Sequence, residues 1–180
     1  MGSESSAGGL DGGRGFGRAA VLIALLAVIA SLPTVTGCGG SGHGAETDPE
    51  KGADAAILNA ALSRELTLRG VYARGRSYLN GAWRSAARRL RAEEGQYVDD
   101  VTKAIRGLGG ESEGEAEEVD LAQARGRAGY LALVTALETD AREFYIDKAA
   151  QLNTAAPRTL DAWLAAGHGQ HLGVLPPGGG

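Results

Sequence analysis

Five residues of this chain have types and positions suited to holding a metal ion or to closing a buried charge network: Glu65, Glu94, Glu138, His168 and His171. None sits where a solvated residue would. Glu65 has Leu58, Ala61, Leu62, Leu68 and Tyr72 at −7, −4, −3, +3 and +7, so it lies in the apolar stripe of a helix. Glu138 is flanked in the same way by Leu131, Val134, Ala141 and Tyr145. Glu94 falls among Ala87, Leu90, Val98 and Val101, and His171 between Leu164 and Leu175. An isolated carboxylate is costly to bury, so each must be paired, protonated or bound to metal.

The same residues mark an internal repeat. Glu65, Arg69 and Tyr72 recur as Glu138, Arg142 and Tyr145, with the same spacing of +4 and +7. Glu94 and Tyr97 stand three apart, as do His168 and His171, and these pairs follow their glutamates by 29 and 30 residues. Each half of the chain thus offers one polar residue from a first helix and an i, i+3 pair from a second. Arg69 and Arg142 have two readings. Turned inward, they would bond the glutamates and supply the positive charge that a metal ion would bring. On the shoulder of the bundle, they would keep their heads in water. The shoulder is favoured for Arg142, and both readings stay open for Arg69. Tyr72 and Tyr145 read as core aromatics with hydrogen-bonded hydroxyls.

Four helices must position these groups. Apolar spacing places them at about Asp54–Arg76, Ala82–Leu108, Asp120–Leu152 and from Pro157 onward, with no useful run of period 2 that would make a strand. The expected fold is all-α: an antiparallel four-helix bundle over 53–175, made of two helical hairpins. The connection 107–119 is long, glycine-rich and acidic. Extended, it spans roughly 40 Å, enough to cross the bundle and start the third helix at the opposite end. Its acidic run, Glu111 to Glu118, reads as a solvated linker without the spaced ligands of a calcium loop.

Composition narrows the function classes. With 43% apolar and 22% charged residues and a net charge of −4, the 180-residue chain is of globular type, with no electrostatic case for nucleic acid. A single cysteine excludes an internal disulfide framework. There is no Ser–His–Asp constellation, phosphate-cradling glycine loop or cysteine nucleophile. That cysteine, Cys38, follows an uncharged apolar run, Ala19–Leu32, and the sequence Val35-Thr36-Gly37. The run is shorter than the roughly 20 residues of a membrane span. This segment resembles a bacterial lipobox. The resemblance implies a signal peptide over 1–37 and lipidation of Cys38; glycine-rich composition adds a tether over 38–52 that contains His43 as a linker residue, and a flexible tail over 176–180. The expected location is the cell envelope, outside the cytoplasm, with the membrane as partner through the lipid.

The motifs together resemble the ferritin-like domains of bacterial secreted and lipid-anchored proteins, over about 53–175. The similarity is carried by Ala92-Glu-Glu-Gly-Gln-Tyr-Val-Asp-Asp, by the later Ala-Ile-Arg-Gly-Leu-Gly-Gly, and by His168-Gly-Gln-His171-Leu-Gly-Val-Leu. That family places a Glu on helices one and three and Glu-x-x-His on helices two and four. Glu65, Glu138, Glu94 and His171 match those positions. Tyr97 and His168 depart from them. The resemblance therefore implies a degenerate site for one Fe, Mn or Zn ion, held by Glu138, His168 and His171 with Glu94 or Glu65 as a further ligand. The alternative is a metal-free scaffold of the envelope, and the sequence leaves open whether the protein is an enzyme. A monomer or small oligomer is expected, not a 24-subunit cage.

Overall fold

The computed structural model describes residues 48–175. The apolar run, Cys38, His43 and the 176–180 tail lie outside the described residues. Four helices make up the bundle: α1 (Pro49–Arg74), α2 (Gly81–Gly107), α3 (Gly126–Ala149) and α4 (Ala155–Val174). Among the described residues there is no strand, and no helix is long and apolar enough to cross a membrane.

Helix ends differ from the apolar spacing by local capping chemistry. α1 starts more than a turn before Asp54, because Asp48 accepts the Glu50 N–H at 3.1 Å and Pro49 fits the first turn. Pro49–Gly52, placed in the tether by sequence, are therefore helical. α3 starts later than Asp120. That aspartate caps only a three-residue 3-10 turn, Leu121–Gln123, and the chain re-enters helix at Gly126 with φ +67, a value that favours glycine. α4 is capped from outside its own sequence. The buried Asp54 of α1 accepts the backbone N–H groups of Asn153 and Thr154, both at 2.8 Å, and the Thr154 hydroxyl at 2.6 Å.

α1 packs chiefly on α2, and α3 on α4; the two hairpins meet with α1 beside α3 and α2 beside α4. Adjacent helices run antiparallel. Tyr130 at the start of α3 donates to the Val71 carbonyl near the end of α1, and Asn153 after α3 meets Asp54 near the start of α1.

The crossover corrects the reading of a solvated linker. Its acidic side chains are exposed, but its backbone is fastened along α1. Asn59, Ser63 and Thr67 accept the N–H groups of Glu113, Glu115 and Glu117 at 2.7, 3.1 and 2.7 Å, and Asn59 Nδ2 donates to the Glu111 carbonyl. The periods match: four helical residues rise about 6.0 Å and two extended residues about 6.6 Å. Gly114 brings the strap close, since a Cβ there would lie 2.7 Å from Leu62 and 3.0 Å from the Asn59 carbonyl.

The apolar core falls into two clusters. One contains Leu68, Val71, Tyr72, Leu90, Tyr130 and Val134. The other contains Leu58, Leu62, Val101, Ile105, Tyr145 and Leu164. On every helix the ionisable residues fall between positions belonging to the two clusters, so the polar layer is roofed and floored by hydrocarbon.

Candidate metal centre

All five residues singled out by sequence are buried in this layer. Glu65 comes from α1, Glu94 from α2, Glu138 from α3, and His168 and His171 from one face of α4. Glu94, Glu138, His168 and His171 each offer a ligand atom, and these four atoms lie within 4.8 Å of one another. Glu65 stands beside the group and is joined to it through His168.

His168 bridges the two hairpins. Its Nδ1 is 2.7 Å from Glu138 Oε2 and its Nε2 is 3.1 Å from Glu65 Oε1. His171 Nδ1 lies 3.2 Å from both oxygens of Glu138 and 3.1 Å from Glu94 Oε1. Each glutamate of the repeat also receives a phenol from the opposite hairpin. Tyr72 of α1 donates to Glu138 at 2.6 Å, and Tyr145 of α3 donates to Glu65 at 2.5 Å. Burial pushes both phenols well above their ordinary range, and the accepting carboxylates add to it, so both stay protonated donors.

The arginines do not occupy the centre. Arg142 is exposed, as favoured from the sequence. Arg69 is half-buried, and Glu65 takes its bonds from Tyr145 and His168 instead, through Oε1 alone.

The charges of the layer sort by partner. Burial would raise Glu138, but hydrogen bonds from His168 and His171 overcome it and hold the carboxyl at about 2. Glu65 is lowered in the same way, with burial outweighed by His168. Burial disfavours the charged imidazoles, yet the surrounding carboxylates raise His168 to about 10 and raise His171 as well. Burial first, then the negative charge of Glu65, pushes Glu94 far above the carboxylate range; the charge of His168 pulls the other way but does not prevail.

The residues present nonetheless suit a metal ion. Both oxygens of Glu94 and Oε2 of Glu65 are buried and receive no hydrogen bond, the approach of His171 Nδ1 to Glu94 Oε1 being an ion-pair contact only, which is unusual for buried carboxyl groups. Two imidazoles and two carboxylates at this separation suit one borderline divalent ion, which would displace protons from the imidazoles and from Glu94.

Sequence reasoning missed Glu93. This half-exposed residue places Oε2 3.0 Å from His171 Nε2, on the solvent side of the cluster, and is itself 3.5 Å from Arg89. The tandem Glu93-Glu94 was the available signal. It also missed the buried pair Asp54 and Asp161, which lie on the stripes of α1 and α4 beyond the repeat.

The sequence matches no protein-family model and no curated protein. Among solved structures it is similar to "ferritin like, diiron-carboxylate proteins" from Bacillus anthracis str. Ames. The TM-score is 0.61 at 18% identity, over 71% of this chain and 95% of that one. At that identity the likeness speaks for the fold, and it agrees with the two hairpins and long crossover described above: the chain folds as a ferritin-like, all-α four-helix bundle.

Proposed function

We propose that the protein is a lipid-anchored protein of the cell envelope whose bundle core binds one divalent transition-metal ion. The convergence of four buried donors from three helices within 4.8 Å, with neither Glu94 oxygen receiving a hydrogen bond, carries the metal reading. Glu94, Glu138, His168 and His171 would hold the ion, with Glu65 fixing the far side of His168. A bound iron or manganese ion would supply one-electron redox chemistry, and zinc Lewis acidity. The chain's own part is to hold the ligands rigid: Tyr72 and Tyr145 fix the two repeat glutamates, and the hydrocarbon clusters exclude bulk water. The two irons named for the similar bacillary proteins reduce here to one ion, because Tyr97 offers no imidazole on α2. The lipobox resemblance around Cys38 supports the anchor.

The contacts of His168 with Glu65 and Glu138, and of His171 with Glu138 and Glu93, favour a second reading, a metal-free scaffold closed by its own ion pairs. Metal analysis of the purified full-length chain separates the two. One equivalent of metal, lost in a Glu138→Ala/His171→Ala double variant, supports the metal site; equal, near-zero metal in both leaves the scaffold. Membrane fractionation of the wild type against Cys38→Ser tests the anchor, which requires that the variant leave the membrane.

A further inference from the structure

The two halves of the polar layer are built alike and filled differently. In the repeat, Glu65 corresponds to Glu138, Glu94 to His168 and Tyr97 to His171. The α3–α4 half therefore supplies one carboxylate and two imidazoles, whereas the α1–α2 half supplies two carboxylates and a phenol. The phenol ring is held from several sides. It lies nearly parallel to the His171 ring, at 14° with centroids 5.6 Å apart, and meets His168 edge-on at 5.5 Å. The half-exposed Trp163 covers it at 5.1 Å. Its hydroxyl occupies the space a side chain at 167 would need, since a Cβ on Gly167 would lie 2.2 Å from the Tyr97 oxygen. The hydroxyl thus rests against α4 at Gly167 and bonds none of the five donors. Within the polar layer, by contrast, the carboxylate oxygens that receive no hydrogen bond belong to the same half as Tyr97: Oε2 of Glu65 and both oxygens of Glu94.

We propose that Tyr97 restricts the cluster to a single ion. Its ring fills the volume in which the repeat would place a second nitrogen ligand, and Gly167 makes room for that ring. The spare oxygens of Glu65 and Glu94 are then two-thirds of a second ligand set whose third member is a plug. This inference rests on the metal reading above and concerns only how many ions the layer takes. The glycine before His168 has, on this view, a steric purpose: the ring at 97 and a side chain at 167 are mutually exclusive.

The test is a count. Full-length protein is loaded with Co(II), freed of excess by gel filtration and analysed for cobalt per chain, with circular dichroism to check the helical content of each variant. Wild type takes one ion. Tyr97→Phe keeps the ring and also takes one. Tyr97→His takes two, because it sets a nitrogen donor beside the unpaired oxygens of Glu65 and Glu94. Tyr97→Asp carries the same expectation with a smaller oxygen donor, should the histidine variant fail to fold. Two ions in the wild type, or one in a folded Tyr97→His or Tyr97→Asp variant, overturn the proposal and leave metal binding standing. No cobalt in the wild type overturns the metal reading, and the proposal with it.

Discussion

Tyr72 on α1 donates its hydroxyl hydrogen to Glu138 on α3 at 2.6 Å, and the repeat returns the bond: Tyr145 on α3 donates to Glu65 on α1. Each hairpin thus braces the carboxylate of the other. The same-helix arginines at +4 had the right charge to do this, but the phenols reach further inward and carry no charge to desolvate. Sequence exposed the residues of the exchange without showing who bonds whom.

The two bonds are not equal. Glu138 also has both histidines, whereas Glu65 has His168 alone beside Tyr145. Each substitution should cost about 1.5–3 kcal/mol, as expected for a hydrogen bond to a buried charged group, with Tyr145→Phe the larger loss. Urea unfolding of both variants measures this. Equal losses would mean that the partners of each carboxylate do not set the cost.

Much of this molecule was legible from spacing. The four helices, the crossover and the five inward polar residues follow from apolar stripes of period 3.6, because a carboxylate in such a stripe has nowhere to go but the core. Glu93 was hidden because its role comes from reach: it sits beside the stripe and bends back to His171. The strap was hidden because Asn59, Ser63 and Thr67 look like an ordinary polar face until another segment lies on it. Asp54 likewise caps α4 from a hundred residues away, a partnership no local capping pattern reveals.

The strap's glycine should be far less replaceable than a helical one. Gly114→Ala drives a Cβ to 2.7 Å from Leu62 and must lift the strap or shift the helix, at a cost of about 1–3 kcal/mol. Gly70 on α1 has nothing within 4 Å of its added Cβ, so Gly70→Ala should stabilise by about 0.5–1 kcal/mol through helix propensity. Opposite signs in thermal melts are expected. Two stabilising changes would show that the strap adapts without strain.

Asp54 joins α1 to the start of α4 with four hydrogen bonds, counting both the backbone and the side chains of Asn153 and Thr154. Burial alone would raise its pKa, but the donors of Asn153 and Thr154 hold it below the usual aspartate range. Its contribution is accordingly present above the unfolded value near 4 and is lost as pH falls through the lower folded value. Asp54→Ala should fray α4 first, with hydrogen exchange accelerating at Arg158–Leu160 before it does in α2. Uniform acceleration across the bundle would count against a local cap.

Asp161 gives the opposite pH dependence. It is fully buried on α4, and neither carboxyl oxygen has a hydrogen-bond partner. Burial, then the negative charge of Asp54 on α1, raises it to about 7; the other ionisable group it acts on is the protonated phenol of Tyr145 on α3. A folded value above the unfolded 3.8 means the native state holds the proton more tightly. The neutral acid is no burden below pH 4, and stability falls as pH rises from there through 7, levelling above it. Asp161→Asn removes the ionisation and keeps the shape. The difference in unfolding free energy between variant and wild type should therefore grow between pH 5 and pH 8, in favour of the variant, at about 1.4 kcal/mol per unit of the shift traversed. Taking the difference cancels titrations common to both proteins, including those of the histidine cluster. A difference that stays flat over this range would mean that Asp161 is already solvated or paired in the folded protein.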